Sequence, residues 1–119
     1  MSTLNVANIT DGTTTVGTSY VVNGSAKAWC NWKTAGTQSI YASLNIASIT
    51  DIGVGGTQVS YTAVMDSSNY TNILNSSAYM SATSGSAKYA GSCNCFTYSS
   101  NFGAVDSNQV SVSMQGDLA

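Results

Sequence analysis

Ser25-Ala26-Lys27-Ala28-Trp29-Cys30-Asn31-Trp32-Lys33 contains both tryptophans of the chain and two of its three lysines. Its residues alternate, with Ala26, Ala28, Cys30 and Trp32 on one side and Lys27, Trp29, Asn31 and Lys33 on the other. A period of two is the pattern of a half-buried strand, and a helical twist would scatter both sets. The remainder of the chain is expected to pack on this strand. Because Trp29 falls on the lysine side, the outward face also carries a large aromatic. A loop, another subunit or a ligand is expected to cover it.

Working outward, Thr34-Ala35-Gly36-Thr37 reads as a turn, and Gln38 to Ile46 as the hairpin partner of the tryptophan strand, with Ile40, Leu44 and Ile46 on one face and Tyr41 on the other. A second hairpin follows. Val54-Gly55-Gly56 is its glycine-rich turn, and Val59, Tyr61, Ala63 and Met65 alternate along its return. Segments 69–74, 77–81, 88–98 and 105–114 read as further short strands, the last with a clean alternation through Val110, Val112 and Met114. On the other side, Asn23-Gly24 is a tight-turn dipeptide entering the tryptophan strand. The light, β-prone residues 1–22 read as an extended arm with a turn at Thr10-Asp11-Gly12. Ser, Thr, Asn, Gly and β-branched residues dominate throughout, so no segment reads as a helix. Strands parted by polar turns predict an all-β antiparallel sandwich or barrel-like knob at 23–119, preceded by the arm at 1–22.

A chain of 119 residues is one domain by size, yet Leu, Ile, Val and Phe make up less than about a fifth of it. With only 7% charged residues and a net charge of −2, self-repulsion does not keep such a chain expanded. The expectation is a folded protein that completes a thin core by associating with like copies. Three lysines against five acidic residues cannot displace counterions from phosphate, so nucleic acid is rejected as a partner. No apolar run reaches the ~18 residues of a membrane span, and the amino terminus lacks the regions of a signal peptide. No membrane insertion is expected, and synthesis is assigned to the cytoplasm.

Cys30, Cys93 and Cys95 are an odd number, best read as reduced, buried thiols. A metal site would need a fourth ligand that a chain without histidine does not offer, so no metal and no cofactor are expected. General acid–base and triad chemistry likewise lack their usual base, and no catalytic residue is assigned. Asp51 and Asp66 flank the second hairpin, where capping of turns is the expected job. Four N-glycosylation triplets, at Asn8, Asn23, Asn69 and Asn75, are what this composition produces by chance.

Lys27-Ala28-Trp29-Cys30-Asn31-Trp32, then Leu44 to Asp51, Gly56 to Met65 with Asn69-Tyr70 following, and the ending Gly116-Asp117-Leu118 occur in an order that resembles small tail-fibre, receptor-binding tip modules of marine and cyanobacterial tailed phages. The likeness runs from about Tyr20 to Ala119, with Cys30 and Trp32 in place of the usual Val and Phe. It implies a homotrimeric virion protein that contacts a host surface glycan and other virion proteins of tail or capsid. Trp29, Tyr70, Tyr79, Tyr89 and Tyr98 are the candidate receptor contacts, since aromatic faces suit both sugars and subunit interfaces. Leu4, Val6, Ile9 and Val16 are the candidate docking or trimer-arm residues. The alternative expectation is a capsid decoration protein or head fibre held by the same arm.

Overall fold

The computed structural model describes residues 1–78 and 80–119, with the backbone alone at 80 and 83–87. The tryptophan stretch forms β3, Ala26–Lys33, and every second residue from Ala28 to Trp32 is buried, as the alternation requires. It hairpins into β4, Ser39–Leu44. The second hairpin is β5, Ile46–Gly53, with β6, Gly56–Tyr61. The remaining strands are β7, Thr71–Ser76; β8, Met80–Tyr89; β9, Ser92–Tyr98; and β10, Val110–Gln115.

Two four-stranded antiparallel sheets result, ordered β4-β3-β10-β7 and β5-β6-β9-β8. Their inner faces meet in one core. Ala28, Cys30 and Trp32 of β3 with Val110, Val112 and Met114 of β10 pack against Val59 and Tyr61 of β6 and Cys93 and Cys95 of β9. The Trp32 indole Nε1–H donates across the sandwich to Thr57 Oγ1 at 3.0 Å, and the Thr57 hydroxyl donates on to Gln38 Oε1 at 2.7 Å. The most deeply buried indole nitrogen is thereby satisfied.

The chain changes sheet between β4 and β5 through the single residue Asn45, whose φ of 58° lies in the left-handed region that asparagine tolerates. Its side chain holds the crossing together: Nδ2–H donates to the carbonyls of Lys27 and Ala63, and Oδ1 accepts from Ala63 N at 2.6 Å. Asp51 caps the second hairpin as expected, with Oδ1 accepting from Gly53 N at 2.9 Å.

Residues before β3 depart from the extended reading. β1, Asn8–Thr10, and β2, Thr15–Gly17, form a small hairpin around the expected turn, where Asp11 Oδ1 accepts from Thr13 N and Thr14 N at 2.9 and 2.8 Å. Those bonds hold the Asp11 carboxyl below its usual range. A helix, α1, follows at Thr18–Gly24, against the expectation of none. Asn23-Gly24 is therefore the last turn of this helix and not a strand turn. Thr18 anchors the start of the first turn: its N–H donates to Ala7 O at 2.8 Å and its hydroxyl to Val6 O at 2.9 Å. Tertiary anchoring of this kind overrides a weak local propensity. The 88–98 segment also divides, into the end of β8, a turn at Ala90-Gly91 and β9.

Candidate functional site

The outer face of the first sheet carries a groove of about 440 Å³ that runs over β10. Strand register builds it. Ser113 of β10 lies between Trp29 of β3 and Ile73 of β7, and Ser111 lies between Asn31 and Asn75. Directly paired residues stand ~5 Å apart at Cβ, so two small serines between larger neighbours leave a trough. One cross-strand row is apolar at its walls. The next is a row of amides and a hydroxyl, in which Ser111 Oγ approaches Asn31 Oδ1 at 3.5 Å.

On the β4 side the apolar row continues, since Leu44 pairs with Trp29. Trp29 is 37% exposed and Ile73 63% exposed. Among the described residues no carboxylate or lysine side chain lines the groove. Such a surface offers a flat aromatic face, apolar flanks and neutral donors and acceptors. Such chemistry is suited to uncharged polyhydroxylated or amphipathic surfaces.

The four aromatic candidates among the described residues are not brought together. Trp29 is in the groove. Tyr89 is 53% exposed at the end of β8, while Tyr98 ends β9 half-buried, with its ring stacked on Phe96 at 6.4 Å. Six residues of strand part the two ends of the β8–β9 hairpin, roughly 20 Å. Tyr79 lies outside the described residues. Tyr70 is corrected: it is 3% exposed and belongs to the core. Tyr61 OH donates to Tyr70 OH at 3.0 Å, Tyr70 OH donates to Ser92 O at 3.1 Å, and the Lys88 ammonium lies 5.3 Å from the Tyr70 ring centroid. Gly116 makes room for it, since a Cβ there would fall 2.8 Å from Tyr70 Cβ.

Beneath the groove the three thiols are buried, as expected. Burial, with Cys93 nearby, pushes Cys30 up to about 12. Cys93 Sγ and Cys95 Sγ are 3.7 Å apart, and the hydrogen bond between them lowers Cys93 and raises Cys95. Leu4, Val6, Ile9 and Val16 are all exposed, with Ile9 and Val16 paired across the β1–β2 hairpin. None of the residues from Met1 to Gly24 is buried.

Reading the sequence alone leaves out Ile73, Asn75, Ser111 and Ser113. The outward set of β3 and the alternation of 110–114 were visible, but the pairing of β10 between β3 and β7 was not.

Fold and site together define an all-β antiparallel sandwich whose outer face carries a partly aromatic groove lined, among the described residues, by neutral side chains. Comparison with protein-family models, curated proteins and solved structures gives no match.

Proposed function

We propose that this chain is a structural protein of a bacteriophage virion, a homotrimeric fibre tip or knob that adheres to a host surface glycan without catalysis. The observation that carries the reading is the groove in which Trp29 and Ile73 flank Ser113 beside the row Asn31, Ser111 and Asn75. Stacking on an indole with neutral amides and hydroxyls alongside is how an uncharged sugar is held, and three weak sites on one knob add by avidity. The resemblance to small tail-fibre modules supports the same role.

A second reading is favoured by a different observation. Residues 1–24 bury nothing and expose Leu4, Tyr20, Val21 and Val22, an apolar surface suited to docking on a capsid as a decoration protein or head fibre. Purified assemblies offered to host cells and to expanded empty capsids separate the two. Cell binding that soluble host saccharide competes away, and that Trp29→Ala removes, is the expected result. Binding to capsids alone overturns the adhesive role in favour of decoration.

A further inference from the structure

β4 is the end strand of the first sheet and, among the described residues, is paired on its β3 side only. Each of its residues is exposed, including Ile40, Tyr41 and Leu44, and none is charged or proline. Soluble proteins usually blunt such an edge with lysine, proline or a very short strand, because its free N–H and C=O groups are a template for another strand.

The chain also carries an unpaired segment with strand alternation. Leu4 and Val6 alternate with Thr3 and Asn5, and Leu4 is 83% exposed. Among the described residues no backbone hydrogen bond joins residues 1–5 to the rest of the molecule. The segment is tied down at its end, where Thr18 donates to the carbonyls of Val6 and Ala7.

We infer that residues 4–7 of one copy add as an antiparallel strand to the free edge of β4 in a second copy of this chain. This rests on the reading that the protein works as an assembly of like copies. Residues 4–7 face 44–41, four residues on each side and roughly 13 Å of strand. A register with Leu4 opposite Leu44 and Val6 opposite Ala42 puts both apolar side chains on the outer face, extending the row that runs from Leu44 through Trp29. Neither strand carries a charge to oppose the other.

Direction selects the neighbour's edge over the chain's own. α1 leads into β3 at the end of the sheet where Leu44 pairs with Trp29, and Ala7 is tied to the start of α1. Folding back from there, the chain's own segment would run parallel to β4. Antiparallel pairing is slightly more stable per residue, and a second copy supplies it. Donor and acceptor are different surfaces of each subunit, so the contact is head-to-tail, and a ring forms where the rotation between copies closes.

Sedimentation of the full chain at micromolar concentration, beside an arm variant (L4K/V6K) and an edge variant (A42K/L44K), tests this. Fluorescence of the buried Trp32 reports that each is folded. The full chain is expected as a trimer and each variant as a single subunit. Their equimolar mixture is expected as a one-to-one pair, because one variant keeps the arm and the other the edge. Removing residues 1–5 is expected to act as L4K/V6K does. A folded variant that stays trimeric, or solitary variants that fail to pair, overturns the inference and leaves the assembly reading standing. Arm variants that assemble normally but lose capsid binding overturn it in favour of capsid docking. A full chain that sediments as one subunit removes assembly and inference together.

Discussion

Trp29 and Trp32 are three residues apart on one strand and do opposite jobs. Trp32 is fully buried and hydrogen-bonded to Thr57, so Trp32→Phe keeps most of the packing but leaves the Thr57 hydroxyl without its donor. A loss of about 1–2 kcal/mol is expected in chemical denaturation. Trp29→Ala removes an outward side chain and is expected to cost under about 1 kcal/mol of subunit stability while abolishing the proposed saccharide binding. Equal destabilisation by the two changes would contradict the assignment of faces. Period two separates these residues in the sequence. Tyr70 shows the limit, because it precedes β7 in an irregular segment and only Gly116, Tyr61 and Lys88 around it reveal a core residue.

The second hairpin is the element most tightly specified by its turn. Gly55 has φ +67°, and a Cβ there would lie 2.6 Å from the carbonyl oxygens of both Thr97 and Val105. Its N–H donates to Asp106 Oδ1 at 2.7 Å and its carbonyl accepts from Thr97 N at 3.0 Å. The turn thus holds the loop between β9 and β10 as well as its own strands. Gly55→Ala combines backbone strain with two backbone clashes, and a loss of about 3 kcal/mol or more is expected in the urea unfolding midpoint. Gly36→Ala is the control, since its φ is +67° but nothing lies within 4 Å of the added Cβ. It is expected to cost only the ~1 kcal/mol of the left-handed backbone. The glycine-rich turn was legible in the sequence, but its contact with Thr97 and Val105, far along the chain, was not. α1 was missed for a related reason: its first turn is anchored by Thr18 to Val6 and Ala7 across the small hairpin, outside any local window.

Across the whole molecule, most weak acids of the core are held neutral, the exception being Cys93, which the hydrogen bond with Cys95 lowers. Burial pushes Cys30 and Tyr70 up to about 12 and also raises Tyr61. Once unfolded, these groups lose protons around their ordinary values of 9 for a thiol and 10 for a phenol. Between those values and about 12 the folded state binds more protons than the unfolded state, so stability falls as pH rises through that window. Stability is expected to be unaffected by these groups below about pH 9 and to drop by on the order of 1 kcal/mol per pH unit for each group above it. Urea midpoints at pH 7.5, 9 and 10.5 check this, and a midpoint that rises above pH 9 would contradict it.

Alternation and turn chemistry alone determined the strand character of the chain, the inner and outer faces of β3 and β10, the second hairpin and the burial of the thiols. These are local properties, since the pleat repeats every two residues and a turn needs only its own glycines. The tertiary structure decided which strands lie side by side, and with that the groove between Trp29 and Ile73, the interior place of Tyr70 and the helical turn at Thr18. Each depends on partners far along the chain, which are set by how two thin sheets bury their apolar faces together.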